Sequence, residues 1–328
     1  MTVETRKVQL TGSSTFTISL PKEWAVENGI EPGMTLSLCP DAGSLEVCAD
    51  AGTDLETTVE ASGADPSELR RTIFALYAAG FETITVLFDE RSSRERRRAV
   101  SETATQLAGV ELLGAGQNEV RLRTLLDGEQ LSLERTLLQL QYDVLSMQQS
   151  TISRLTGSSD DPLRHVQDDA SFRRRYGVLS RHAERGLVDP AMRSSLGLVR
   201  RTLLDYLTAG RELRSVADAT LSLAEVARDV DAPPEWAEEV AGLSHTTRRR
   251  VEDALATLVE QNDAETSEAV VRDASAVREE IDDFSRRVYD RNPDEVRALA
   301  SSVETLRRTA DCAAGIGRRA VQLAHRNH

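Results

Sequence analysis

Two segments of the chain carry an arginine and an aspartate four residues apart, Arg214 with Asp218 and Arg307 with Asp311. Side chains at this spacing lie on one face of an α-helix, one turn apart. Each aspartate therefore faces a guanidinium, and an ion pair is the expected interaction. Because the arginine's positive charge opposes a bound cation, the spacing favours ion pairs that fix helix register over a metal site.

The two segments repeat one pattern. Residues 211–228 and 304–321 match at five positions, at a constant offset of 93 residues. In the first segment, apolar residues recur at helical spacing and predict one buried stripe, formed by Leu213, Val216, Ala217, Thr220, Leu223, Ala224 and Ala227. Each copy closes a long helical region, so we interpret the repeat as an internal duplication, one helical bundle following another.

This repeated helical phrase resembles the one found twice per chain in the PhoU family of phosphate-uptake regulators. The resemblance covers roughly residues 128–326. It implies two tandem three-helix bundles, residues 128–231 and 232–328, that contact a membrane phosphate transporter or a signalling partner. We expect Pro233 and Pro234 to mark the boundary between the bundles.

The PhoU resemblance also implies a divalent-cation site made of a Glu and an Asp one turn apart with acids from facing helices. Here Arg214 and Arg307 occupy the Glu position, and residues 173–175 are arginines where relatives have an acid. We therefore expect no cofactor, and a divalent metal is disfavoured. A surviving metal site would use acids of the second half: Glu279, Asp282, Asp283 and Asp311.

The first fifty residues predict a small β unit. Alternating apolar residues indicate strands over 8–10 and 16–20, a short helix over 22–28, and further strands over 34–38 and 45–47. So few large apolar side chains cannot form a core in about 50 residues. The unit therefore needs a partner, and a second copy is the simplest one.

This unit resembles the AbrB/SpoVT swapped-hairpin fold, through Ile18, Leu20, Pro21, Gly29, Ile30 and Gly33. The resemblance implies an intertwined homodimer that often binds DNA through basic residues, and the candidates are Arg6, Lys7 and Lys22. These three face seven acidic residues within 1–50. Few phosphate contacts are then available, so DNA binding requires a focused cationic patch, and the alternative is that all three are solvated surface residues.

The remaining stretches complete a predicted multidomain α+β fold. Residues 51–127 alternate strand and helix, which indicates a small α/β module with helices on one face of a sheet. No phosphate-binding glycine loop occurs there, and the sequence leaves three roles open: spacer, oligomer contact or small-ligand sensor. The helical half shows six helices, of which the third is predicted to run unbroken over residues 191–229.

Composition narrows the class of protein. The formal net charge is -14, and every basic residue except Lys7 and Lys22 is an arginine. An acidic, lysine-poor surface suits a halophilic protein that stays hydrated in concentrated salt, although arginine-rich codon usage with ordinary acidity explains the same numbers.

Three scattered cysteines indicate neither disulfides nor zinc. No signal peptide or membrane span is evident, so we expect a cytoplasmic protein without membrane insertion.

The PhoU resemblance implies a nonenzymatic regulator of phosphate uptake and homeostasis that acts by protein–protein contact, and the first unit implies a homodimer. No catalytic motif appears, because the five histidines lack metal-ligand spacing and no serine lies in a nucleophile elbow. One alternative is a transcription regulator that binds DNA through the first unit and senses a ligand through the helical half. A metal store or sensor is the third hypothesis.

Overall fold

The computed structural model describes most of the chain and shows a mixed α+β fold, as predicted. The described residues are 3–12, 14–41, 43–48, 55–89, 94–115, 118–126, 131–159, 163, 170–230, 235–289 and 296–326. The predicted domain boundaries at 50/51, 127/128 and 231/232, together with Pro233 and Pro234, involve residues outside these ranges. Among the described helices, none has the length and apolar character that crossing a bilayer requires.

The N-terminal unit consists of two hairpins and one short helix, close to the predicted positions. Its elements are β1 (Gln9–Thr11), β2 (Thr15–Thr17), α1 (Lys22–Glu27), β3 (Ser37–Asp41) and β4 (Ser44–Cys48). Among the described strands, β1 pairs only with β2 and β3 only with β4, both antiparallel. Most large apolar side chains of the unit are exposed, with Phe16 76% and Leu10 61% exposed.

The second unit is a four-stranded sheet with two helices. It contains β5 (Glu56–Glu60), α2 (Pro66–Ala78), β6 (Thr83–Leu87), α3 (Arg94–Gln106), β7 (Val110–Ala115) and β8 (Glu119–Thr124). The strand order is β5-β6-β8-β7, and only β5 and β6 run parallel. Asp65 caps α2 by accepting the Ser67 amide at 2.8 Å, as the Asp-Pro start of that helix predicts. The module has its own small core.

The helical half contains seven described helices. They are α4 (Leu133–Leu155), α5 (Ala170–Val188), α6 (Pro190–Leu196), α7 (Arg200–Arg228), α8 (Ala237–Glu260), α9 (Ala264–Tyr289) and α10 (Val296–Ala324). The prediction of one unbroken helix over 191–229 is wrong. Gly197 ends α6 in the left-handed conformation, with φ 65°, and α7 starts afresh after Val199. A glycine adopts that conformation without steric cost.

The two halves of the helical region do not have separate cores. One continuous hydrophobic core runs through all six long helices. α7 packs against α4 and α5 of the first half, α10 packs against α8 and α9 of the second, and α7 and α10 pack against each other. The two repeated segments therefore form the larger part of the contact between the halves, and α4 adds to it by packing against α8.

Buried polar groups join α10 to the first half. Gln148 on α4 donates from Nε2 to Thr309 Oγ1 on α10 at 2.8 Å, and both side chains are fully buried. The Thr305 hydroxyl on α10 shares its hydrogen between the Ser301 carbonyl oxygen at 2.8 Å and that of Ala219 on α7 at 3.2 Å. Since buried polar groups need partners, these bonds fix the register of α10.

The α/β module docks on the helical half through α2 and α5. Arg181 on α5 is buried and donates to the carbonyl oxygens of Tyr77 at 3.2 Å and Phe81 at 2.6 Å, just beyond the end of α2. Gly177 permits the close approach of the helices, because a Cβ there would lie 3.0 Å from Tyr77 Cε1. The docking is therefore both apolar and charge-assisted.

Candidate functional site

The first copy of the repeated motif forms the ion pair that its spacing predicts. Arg214 Nε lies 3.7 Å from an oxygen of Asp218, whose side chain is 64% exposed. The guanidinium carbon also lies 4.9 Å from the ring centre of Tyr176 and 5.5 Å from that of Phe74. Arg214 therefore uses one face against aromatic rings, and Asp218 points to solvent rather than into the helical core.

The second copy does not form the predicted Arg307–Asp311 pair. Arg307 donates instead to Asp282 on α9, at 2.9 Å from Nε and 2.6 Å from Nη2. Asp311 lies 3.4 Å from Arg278 Nε, and Arg278 also donates to Asp282. The four side chains make a network between α9 and α10. The second copy differs from the first because α9 places an acid, Asp282, and an arginine, Arg278, beside it.

The network contains two arginines and two aspartates, so its charges balance. Burial alone would raise the pKa of Asp282, but the hydrogen bonds from Arg278 and Arg307 outweigh it and lower the pKa below its ordinary value. Asp282 is therefore a structural anion at neutral pH, and its oxygens are already used as acceptors.

The proposed acids of a metal site are not gathered around one point. Asp282 is held by two arginines, Asp283 pairs with Arg286, and Glu279 is exposed on α9. Across the described ranges, no group of three or more His, Cys, Asp or Glu side chains has the arrangement to hold an ion.

An open groove of about 570 Å³ lies where α7 meets α10. Its charged lining consists of Arg211, Arg214, Asp218, Glu304 and Arg308, and Arg308 donates to Glu304 at 2.7 Å. The groove carries charges of both signs, and paired charges of this kind confer specificity in protein–protein recognition. Sequence reasoning found the Arg214–Asp218 pair, but it did not predict that acids and bases of both halves would line one groove.

The cysteine in the second repeat is a poor nucleophile. Cys312 is fully buried, and burial, with Glu212 and Asp311 nearby, raises the pKa of its thiol well above the ordinary value. Since the thiolate is the reactive form, this thiol stays neutral and packs as a small apolar group.

The basic candidates of the N-terminal unit lie on the surface. Arg6, Lys7 and Lys22 are all exposed, and Arg6 already pairs with Glu4. Two acids of the unit, Asp41 and Glu46, instead face the helical half.

That contact anchors the β3–β4 hairpin. Arg193 on α6 is buried, pairs with Glu46, and donates to the Gly186 carbonyl oxygen at 2.9 Å. Arg200 donates to Glu46 at 2.8 Å, and its amide donates to Asp41 at 3.2 Å. Sequence reasoning missed these arginines, because nothing in their local pattern separates them from exposed ones.

No protein-family model, curated protein or solved structure matches this chain.

Proposed function

We propose that the chain is a cytoplasmic, nonenzymatic regulator of phosphate uptake and homeostasis that works by protein–protein contact. One observation carries the proposal: a helical half whose repeated segments α7 and α10 pack together is joined to an N-terminal unit whose described residues include no buried side chain. The first part resembles PhoU in its repeated phrase, and the second resembles AbrB/SpoVT. In this proposal the helical half recognises a partner and the N-terminal unit joins two copies.

The mixed-charge groove between α7 and α10 is the proposed contact surface for a transporter or signalling partner. It is the place where both repeats contribute side chains, with Arg214 and Asp218 from one and Glu304 and Arg308 from the other. Helix surfaces with fixed ion pairs favour specific docking, because a wrong partner would leave charges unpaired.

Exposed apolar side chains support the dimer. Val8, Leu10, Phe16, Ile18 and Leu38 are each more than half exposed on two hairpins whose outer edges, within the described residues, pair with no further strand. Isolated two-stranded hairpins are only marginally stable in water. A second copy of the unit would cover these side chains and pair the free edges, so we propose an intertwined homodimer.

A charge placed on this surface tests the dimer. Phe16→Asp should convert the dimer to a monomer in light scattering after size exclusion, because it buries an unpaired carboxylate at the interface. Tyr142→Asp is the matched control, since Tyr142 on α4 is 74% exposed but lies outside the unit. A monomeric wild-type protein, or a Phe16→Asp variant that stays dimeric, would contradict the proposal.

The regulatory role is tested in cells grown at low and high phosphate. A pull-down should recover a phosphate transporter component or its signalling partner, and Arg308→Glu should abolish recovery by reversing charge in the groove. Arg228→Glu, at the exposed end of α7, is the control. Phosphate-starvation genes that respond normally at every phosphate level after gene deletion would refute the proposal.

Binding of DNA is the second candidate, favoured by the exposure of both lysines of the chain on the N-terminal unit. A homodimer would contain each of these lysines twice. A gel shift near physiological salt that disappears in the Lys7→Ala/Lys22→Ala double variant would support this role. Absence of any shift with the wild-type protein would eliminate it.

A further inference from the structure

A second concave surface lies beside the anchored β3–β4 hairpin, where the start of α7 meets the end of α10. Asp41 of β3 and Leu187 of α5 complete its lining. Its volume is about 580 Å³, within the range typical of small-molecule sites. Because the hairpin and both helical halves contribute, the surface forms only when these parts are packed together. We call it the hairpin cleft.

Basic side chains outnumber acidic ones in the hairpin cleft. Its charged lining residues are Arg200, Arg201, Arg319, Arg326, Asp41 and Asp205. Just outside, Arg193 and Glu46 pair with each other and with members of this set. Five arginines therefore face three acids, which leaves an excess of two positive charges in a chain of net charge -14. A concave surface of one sign focuses its field on a ligand of the opposite sign.

The excess charge comes from Arg201 and Arg326. Both aspartates of the cleft already have arginine partners, Asp41 in Arg200 and Asp205 in Arg319. Neither the Arg201 nor the Arg326 guanidinium has a hydrogen bond or an ion pair with a described residue. The Nε atom of Arg201 is moreover buried without an acceptor among those residues. A buried N–H group without an acceptor costs free energy, so an acceptor from outside the chain would be stabilised here.

A third arginine of the cleft is held in a fixed position. Arg319 donates to Gln322 Oε1 and to Thr208 Oγ1, both at 3.2 Å, and lies 3.8 Å from the buried Asp205. Apolar surface completes the lining, since Leu204 is 40% exposed there. The hairpin cleft therefore combines cationic donors with an accessible apolar side chain.

We propose that the hairpin cleft binds a small organic anion, with its carboxylate or phosphoryl group on Arg201 and Arg326 and its carbon skeleton against Leu204. Guanidinium groups donate to either kind of oxyanion in pairs. The proposal does not depend on the role in phosphate uptake. Since Asp41 belongs to the hairpin, a ligand in this cleft would bind the docked hairpin and stabilise its docking by mass action.

Ligand-observed NMR tests the assignment with phenyl phosphate and phenylacetate, which carry the two oxyanion groups on an aromatic body. Inorganic phosphate, acetate and phenol each supply only one feature of these probes. The salt concentration is the lowest at which circular dichroism shows the protein folded, because screening weakens the arginine contacts. At least one aromatic anion should bind, and more tightly than phenol and its own inorganic phosphate or acetate counterpart. Binding of one aromatic anion alone would identify the oxyanion group that the cleft prefers.

Substitutions at the two unpaired arginines locate the site. Arg201→Gln and Arg326→Gln should each weaken binding of the tighter aromatic anion about tenfold. Arg201→Lys keeps the charge without the paired donors, so it should weaken binding less. Neither guanidinium contacts a polar partner among the described residues, so these changes remove no hydrogen bond of the folded chain. Arg228→Gln is the matched control, because it removes the same charge from α7 about 40 Å along the helix from Arg201.

The control should bind the aromatic anion as the wild type does. Absence of binding of both aromatic anions by the wild-type protein would overturn the proposal. Equal weakening by Arg228→Gln and the two cleft variants would show attraction by overall charge and would overturn the cleft as the site. Inorganic phosphate or acetate that binds as tightly as its aromatic counterpart would overturn the apolar contact with Leu204.

Discussion

Replacing Arg181 should loosen the contact between the α/β module and the helical half. Arg181 is 2% exposed, and its guanidinium donates to two carbonyl oxygens at the end of α2, the negative end of the helix dipole. The Tyr77 oxygen also accepts the Gly80 amide at 3.0 Å. The Phe81 oxygen is therefore the acceptor that loses most when Arg181 is removed.

Two opposing free energies set the size of the effect. Hydrogen bonds from a charged donor contribute about 1.5–3 kcal/mol each, so about 3–6 kcal/mol together. Burial lowers the pKa of Arg181 to about 10, against an ordinary value of 12.5, and this difference corresponds to a cost of about 3 kcal/mol. The net contribution is about 0–3 kcal/mol. Arg181→Met keeps the side-chain volume and should destabilise by that amount, whereas Arg181→Ala adds a cavity and should cost about 3–5 kcal/mol.

Urea unfolding followed by circular dichroism measures the free energy, and hydrogen exchange of the α2 amides locates the loosening. Arg174→Ala is the control, because Arg174 also donates to module carbonyl oxygens from α5 but is exposed. It should cost about 0.5 kcal/mol or less. The reasoning is refuted if Arg181→Ala is as stable as wild type, or if α2 exchanges no faster in that variant.

Further predictions concern other buried polar groups. Asp282→Asn should lower the free energy of unfolding by about 1 kcal/mol at pH 7. The wild type should lose this stability as the pH falls from the ordinary carboxyl range through the lowered pKa of Asp282, and the variant should not. A pH series of urea midpoints checks both. Burial, with nearby Glu134 and Asp205, raises the pKa of Tyr206 from 10 to about 12. The stability that the neutral Tyr206 side chain contributes is therefore complete below pH 10 and is lost as the pH rises through 12. Between those values the wild type should lose about 3 kcal/mol more than Tyr206→Phe, whereas Tyr142→Phe should follow the wild type. Gln148→Leu should change the thermal midpoint little, since the removal of the buried, unpaired Oε1 offsets the loss of the hydrogen bond to Thr309; a fall of several degrees would contradict this.

Periodicity predicted the apolar faces well. All seven residues of the predicted stripe are buried on α7: Leu213, Val216, Ala217, Thr220, Leu223, Ala224 and Ala227. A stripe, however, shows which side of a helix is covered and not which helix covers it. The merging of the two halves into one core could therefore not be read from the repeat, because stripes that close on their own trio and stripes that close on each other look alike in sequence.

The local sequence predicted a helix boundary only where the residue types left one choice. The Asp-Pro start of α2 left little choice, since aspartate caps and proline fits the first turn. Gly197, in contrast, lies inside an otherwise helical pattern, and a single glycine costs only about 1 kcal/mol there. Whether the helix continues or turns depends on what the chain packs against beyond it.

The candidate site was the least predictable part because most of its chemistry is arginine. Arg214 and Asp218 could be paired from their spacing, but Arg307 found a closer acid on α9. Arg173 lines one concave surface with Arg70 and Arg71, which are separated from it by about a hundred residues of sequence, and no local pattern relates them.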